Sequence, residues 1–176
     1  MAEPIVNRAY LALGSNIRPE DNLPAAARKL TRHGRVLAVS RVWEFPPVGD
    51  TAQANYLNTA VLLETPLSAG ELRHGPIAEI ERTLHRIRDP KNKNAPRTID
   101  IDIVLFNREI LRIGHRQIPD PEILKRAFIA IPLSEIDPGY LHPEHGVTLK
   151  EIAQALQASA ATMKLRPDVL LLDGTF

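Results

Sequence analysis

A chain of 176 residues, with 44% hydrophobic and 24% charged content, suits one soluble globular domain with a sizeable core. A formal net charge of +1 gives no broad field for nucleic acid. The lack of cysteine excludes a disulfide framework, a thiolate metal site and a cysteine nucleophile. No uncharged apolar run approaches the ~20 residues of a membrane span, and the segment from Met1 to Asn7 lacks the basic and apolar regions of a secretory signal. A cytoplasmic protein with no membrane partner is the expectation.

In chain order, Arg8 to Leu13 reads as a strand, Gly14-Ser15-Asn16 as a turn and the alanine-bearing Glu20 to Leu30 as a helix. Arg35 to Phe45 reads as a second strand, Pro46 to Asp50 as a loop and Asn55 to Glu64 as a third strand. Ser68 to His85 carries Ile77, Ile80 and Leu84 at helical spacing, with a break or kink predicted at Gly75-Pro76. After a polar loop from Lys91 to Pro96 comes an unbroken strand from Ile99 to Phe106, for which Asn107 to Ile113 can serve as hairpin partner. Pro121 to Ile136 is mostly helical. Thr148 and Glu151 form a capping box opening a helix to about Ala158, and Leu165 to Leu172 ends the chain as a strand. Strands follow one another without a βαβ rhythm, which argues for an α+β fold with a mainly antiparallel sheet. The whole chain, 1–176, reads as a single domain.

The strand from Ile99 to Phe106 carries the chemistry. Alternation puts Ile99, Ile101, Ile103 and Leu105 on one face and Asp100 and Asp102 on the other. The two acidic Cα atoms then lie roughly 6.6 Å apart, at about 3.3 Å per residue. Carboxylates so placed can lean together onto a hard divalent cation such as magnesium. On spacing alone, alternating acids are most often the solvated face of an antiparallel sheet. Upstream, Arg82, Arg86, Arg88, Lys91, Lys93 and Arg97 are opposed only by Asp89. A basic run is an ordinary solvated face, but a cationic loop leading into an acidic pair is also what a polyphosphate requires.

The segments Tyr10-Leu-Ala-Leu-Gly-Ser-Asn16, Pro46-Pro-Val-Gly49 with Gln53 and Tyr56-Leu-Asn58, Arg86-Ile-Arg88, Pro96-Arg-Thr-Ile-Asp-Ile-Asp102 and Arg126-Ala-Phe128 ahead of Pro132-Leu133 resemble the 6-hydroxymethyl-7,8-dihydropterin pyrophosphokinase (HPPK) family, over about residues 10 to 143. The resemblance implies a ferredoxin-like α+β fold with helices packed on the faces of its sheet. It implies transfer of diphosphate from ATP to a reduced pterin in folate biosynthesis, releasing AMP, by a monomer that binds no nucleic acid. By position, Asp100 and Asp102 are implied to hold two Mg2+ ions, and Arg86, Arg88, Arg97, Ile103 and Arg126 to bind the nucleotide. Arg86 and Arg97 join the two acids as catalytic residues. Phe45, Pro46, Val48, Tyr56, Asn58 and Phe128 are implied to form the pterin pocket. A flat heteroaromatic ring suits stacking between Tyr56 and Phe128, and Asn58 offers its edge a donor and an acceptor.

Several positions depart from the family pattern. His85 stands where a glycine commonly precedes Arg86, so a different helix exit is expected. Phe45 replaces a usual threonine, and Ala78 a polar nucleotide contact. Asp120 replaces a histidine facing the nucleotide, and either opposes the triphosphate unless paired, with Arg116 or Lys125 as candidate partners, or caps a helix beginning at Pro121. Asn94 falls near a tryptophan of the mobile loop in some members. His142 reads as a surface-loop histidine, and residues 159–176 lie outside the resemblance with no role read for them. A decayed relative that binds without turnover is one competing reading. A ferredoxin-like nucleic-acid module is another, disfavoured by the charge balance and 5% aromatic content.

Overall fold

The computed structural model describes residues 5–49 and 51–173, so Asp50 of the predicted loop, residues 1–4 and residues 174–176 lie outside the described residues. Its elements are β1 (Asn7–Ser15), α1 (Pro19–Leu30), β2 (Arg35–Val39), β3 (Trp43–Phe45), β4 (Tyr56–Thr65), α2 (Ala69–Leu72), α3 (Ala78–Thr83), β5 (Asp100–Phe106), β6 (Leu111–Ile113), β7 (Arg116–Ile118), α4 (Ala127–Ile136), α5 (Leu149–Ala155) and β8 (Lys164–Leu165). The main sheet runs β5-β1-β4-β3-β8, with β2 also on β4. Every pairing in it is antiparallel. The order is the ferredoxin-like one, with β2 and β3 sharing the place of a single strand.

Helices cover both faces. On one, Leu11, Leu13, Ile99, Ile101 and Ile103 pack against Leu23 and Leu30 of α1 and against Leu72, Ile77 and Ile80. On the other, Tyr10, Leu62, Val104 and Leu105 pack against Leu133 of α4 and Ile152 of α5. Burying both faces leaves the polar residues of the strands few places to go, and Asn58, Asp100 and Asp102 collect around one cavity beside the start of α4.

The acidic strand keeps its alternation only through Ile103. Its register on β1 shifts between Tyr10 and Leu11, so Val104 is an extra residue. The bulge sends Leu105 to the same core as Tyr10, opposite to the expected face. The predicted strand from Arg35 to Phe45 is likewise broken. Ser40 Oγ accepts the Ala60 N–H at 2.8 Å and so takes a ladder position with its side chain.

Other elements also differ from expectation. The strand at Leu111–Ile113 pairs with β7 across Gly114-His115, in a separate two-stranded sheet, and not with the acidic strand. Gly114 has φ +60, as a tight two-residue hairpin requires. Pro76 gives no sharp break, because a π-helical turn over Arg73–Ile77 absorbs its missing N–H between α2 and α3. Pro121 to Ile136 splits into a 3-10 turn, Pro121–Leu124, and α4. Both halves of the Thr148–Glu151 capping box form, and α5 ends at Ala155, with a 3-10 turn over Gln157–Ala160.

His85 carries φ +60 and closes α3 as a glycine would. Its N–H reaches Arg82 O at 3.1 Å and the Arg86 N–H reaches Glu81 O at 2.9 Å, so the expected change of helix exit does not occur. His142 is buried at 1% exposure, because the Leu141–Thr148 bridge folds it under the hairpin. Only Lys164 and Leu165 of the terminal segment form a strand, on β3. Beyond it, Val169 and Leu171 enter the main core, and Arg166 binds Glu44 of β3 at 3.0 Å and Glu20 of α1 at 3.2 Å.

Candidate active site

Two cross-strand rows build the floor of the site. Gly14 of β1 lies between Asn58 of β4 and Asp100 of β5, and Ala12 between Ala60 and Asp102. Small residues in the middle strand clear space for the larger polar side chains on either side. A Cβ on Gly14 would stand 2.9 Å from Asn58 Oδ1, so only glycine lets the Asn58 amide lean over β1 toward the acids. The Asn58 Nδ2 atom is buried and has no partner. Such a donor is costly unless something binds it.

Over this floor lies a cavity of about 170 Å³, lined by Gly14, Asn58, Asp100 and Asp102 and walled by Phe45, Tyr56 and Phe128. Val48, half exposed, stands at its rim, and Pro46 is not among its lining residues. Phe45 and Phe128 are stacked at 4.2 Å between centroids and 6° between planes. Tyr56 lies 6.0 Å from Phe45. A third ring sandwiched between two others needs roughly 7 Å, twice the ordinary carbon contact distance. Phe45, the departure from threonine, therefore already covers the Phe128 face that the sequence assigned to a bound ring.

A second cavity, about 480 Å³, adjoins the first and is lined by Arg86, Arg88, Lys93, Arg97, His115 and Arg116, with Asp89 and Asp100. Arg97 and Asp100 line both cavities. Arg97 Nη1 donates to Asp100 Oδ2 at 2.7 Å and Nη2 to Lys93 O at 2.6 Å, and its guanidinium lies 5.8 Å above the Tyr56 ring. Its backbone is clamped by the Gly-Ser-Asn turn: the Arg97 N–H donates to Asn16 Oδ1 at 2.8 Å, and the Asn16 N–H returns to Arg97 O at 3.1 Å. Arg86 is partly buried, with Nε lacking a partner. Burial, aided by Arg97 and Arg88, pulls its pKa below the ordinary value.

The acids face the cavities as their alternation requires. Burial, then the neighbouring Asp100 charge, pushes the Asp102 carboxyl up to about 7, with Arg116 and Arg73 acting in the opposite direction. Asp100 Oδ1 is buried without a partner. Two hard oxygen donors on one face, one of them unclaimed, fit a divalent cation. The predicted site residues are not all assembled. Ile103 packs its side chain into the opposite core, and Arg126 donates to Glu122 Oε2 at 2.7 Å; neither lines these cavities. Ala78 lines neither, whereas Asn94 lines the ring cavity.

Sequence reasoning missed three contributors. Arg116 is an ion-pair partner of Asp102, not of Asp120. Glu81, on α3, accepts from Arg88 Nη2 at 2.7 Å and from the Ile101 N–H at 3.2 Å. Arg73 donates to Ile101 O at 3.3 Å. Glu81 offered one signal, an acid in line with Ile77, Ile80 and Leu84 of a buried helix face; Arg116 offered none.

Asp120 accepts the Glu122 N–H at 2.9 Å and has Pro121 after it, so it caps the 3-10 turn. Asp120→Ala is expected to cost about 1 kcal/mol of stability, the usual worth of a cap, and so to lower the melting temperature by roughly 2–4 °C, and Asp120→Asn to keep it. Equal melting of all three proteins would contradict the capping role.

Residues 10–138 match the model of a family described as 7,8-dihydro-6-hydroxymethylpterin-pyrophosphokinase (HPPK). A protein of Bacillus subtilis (strain 168) named 2-amino-4-hydroxy-6-hydroxymethyldihydropteridine pyrophosphokinase is 41% identical over 133 residues, 74% of this chain and 78% of its own. One of the same name from Helicobacter pylori is 37% identical over 133 residues, 73% and 80% of the two chains. Among solved structures, wild-type Plasmodium falciparum HPPK-DHPS with pterin and p-hydroxybenzoate superposes with TM-score 0.70 at 16% identity, over 93% of this chain and 46% of that one. This chain thus spans about half of that longer protein, and the likeness is one of fold.

Proposed function

The chain belongs to the 7,8-dihydro-6-hydroxymethylpterin-pyrophosphokinase family, and from that premise we propose how its two joined cavities divide the work. It is a pyrophosphokinase of folate biosynthesis, acting on ATP and a 6-hydroxymethyl-dihydropterin. The ring cavity takes the pterin. Asn58 Nδ2 donates to its edge and Tyr56 offers a ring face, while Phe128 swings off Phe45 to cover it. Phe45, Pro46 and Val48 complete the wall. The cationic cavity takes the triphosphate, held by Arg86, Arg88 and Arg97.

Asp100 and Asp102 would hold magnesium, as two ions, at the junction. When bound, magnesium supplies positive charge to the phosphate oxygens. Arg97, placed by the Gly-Ser-Asn turn, orients the phosphates against the pterin hydroxyl and stabilises the charge that develops as diphosphate passes and AMP leaves. Ile103 can serve the nucleotide through its backbone, and Arg126 after leaving Glu122. Both cavities are built from one chain, which suits a monomer, and the shared core of α1 and the terminal segment suits one domain. Both substrates are small polar molecules, which suits the cytoplasm. A binding-only relative is not favoured, since both acids and four arginines line the two joined cavities.

The observation that carries this reading is the unpaired Asn58 amide nitrogen, in the same cross-strand row as Asp100. Release of AMP from ATP, dependent on both the reduced pterin and magnesium, is the expected result; its absence overturns the reading. Asn58→Ala is expected to weaken pterin binding about tenfold, the cost of one well-placed buried hydrogen bond. Calorimetry should show affinity for an ATP analogue unchanged. Equal loss of both ligands would point to misfolding.

A further inference from the structure

The two acids at the junction are neutralised unequally. Arg97, on Asp100, is also anchored by Lys93 O at 2.6 Å, Ala95 O at 3.3 Å and the Tyr56 ring. The Arg116 side chain, on Asp102, has no other hydrogen-bond partner among the described residues. Arg116 comes from the β6–β7 hairpin, which forms its own two-stranded sheet beside the main one. It follows directly on the Gly114-His115 turn and lines the cationic cavity. Asp102 lines the ring cavity, so the pair bridges the junction.

We propose that Arg116 is the resident counter-ion of Asp102 in the ion-free enzyme, and that it transfers to a nucleotide phosphate when a divalent cation takes that carboxylate. The proposal rests on the reading of Asp100 and Asp102 as metal ligands. A guanidinium does not lose its proton in proteins, so a divalent cation on Asp102 repels Arg116 and weakens the hold of the carboxylate on it. Arg97 meets the same repulsion on Asp100 but is kept by its other ties, whereas the Arg116 side chain has no second tie and is free to move. The cavity it lines already holds Arg86 and Arg88, and a phosphate there would present the planar guanidinium fork with matching acceptors. The exchange keeps the acid pair from facing itself unneutralised before substrate arrives. It also makes ion and nucleotide arrive as a mutually supporting pair.

The experiment measures binding without turnover in the wild type, Arg116→Ala and Arg116→Gln. Manganese alone is followed by electron paramagnetic resonance, and magnesium with a non-hydrolysable ATP analogue by calorimetry. Both variants are expected to bind the ion alone about tenfold more tightly and the nucleotide complex about tenfold more weakly, the scale of one charge-assisted hydrogen bond. Arg116→Gln keeps the aliphatic stem to Cδ and a polar end without the charge, and guards against a folding defect in Arg116→Ala. Ion affinity that is unchanged or weaker in both variants overturns the resident role, and nucleotide affinity that is unchanged or tighter overturns the transfer. Asp102→Asn separates the two layers. If it leaves ion binding untouched, the metal-ligand reading falls and the proposal with it. If it abolishes binding while the Arg116 variants match the wild type, the proposal alone falls.

Discussion

Replacing Asp100 or Asp102 by alanine is expected to cut turnover by about three orders of magnitude or more, roughly 4 kcal/mol of transition-state stabilisation. They are the only acids lining the ring cavity among the described residues, and Asp100 also lines the cationic one. Melting should remain cooperative, because Ile101 and Ile103, which flank the acids on β5, pack into the core on its other face. A control isolates the electrostatics. In the fold, burial and Asp100 raise the Asp102 carboxyl from 3.8 to about 7. The folded state then binds more protons than the unfolded one between those values, so in divalent-free buffer this group costs stability as pH rises through that window. Asp102→Asn should flatten the loss. Near-native turnover in both alanine variants would overturn the assignment of the acids.

The strand carrying those acids was legible because its signal is local. Alternation of Ile99, Ile101 and Ile103 with Asp100 and Asp102 needs only the period of a strand. Leu105 broke the pattern because a bulge is set by the partner, and nothing in residues 99–106 marks Val104 as the extra residue. Ser40 ended a strand by bonding to Ala60 on another strand, which sequence spacing does not encode. The aromatic wall was legible as residues and not as geometry: Phe45, Tyr56 and Phe128 lie together, but the stacking of Phe45 on Phe128 follows from how α4 sits on β3. Asp120 was legible in one of its two roles, since an acid before a proline at a helical start is a local arrangement. Arg116, 14 residues from Asp102, becomes its partner only through a hairpin whose pairing was assigned to the wrong strand.

Glu81 is the residue whose loss should most damage the fold near the site. β5 is an edge strand of the main sheet, so its outward backbone groups need other partners. At Ile101, between the two acids, side chains supply them: Glu81 Oε1 accepts the N–H at 3.2 Å and Arg73 Nη1 donates to the C=O at 3.3 Å. Glu81 is 6% exposed and its carboxylate also holds Arg88 at 2.7 Å and Arg73 at 3.5 Å. Glu81→Ala leaves one backbone donor unpaired and a part-buried Arg73 without its carboxylate. Removing one partner of a buried ion pair costs about 3–5 kcal/mol. Arg88, half exposed, is rehydrated and lowers that figure toward about 3 kcal/mol. For a chain of this size the melting temperature should fall by roughly 6–12 °C. Glu81→Gln separates the roles: its amide oxygen still accepts from Ile101, and only the charge on the arginines is lost, so its fall should be smaller. Turnover should drop further in Glu81→Ala than in Glu81→Gln below the melting transition, because Asp100 and Asp102 flank the freed Ile101 amide. Equal melting and equal turnover of the two variants would show that Glu81 acts through its charge alone and does not hold the acidic strand in place.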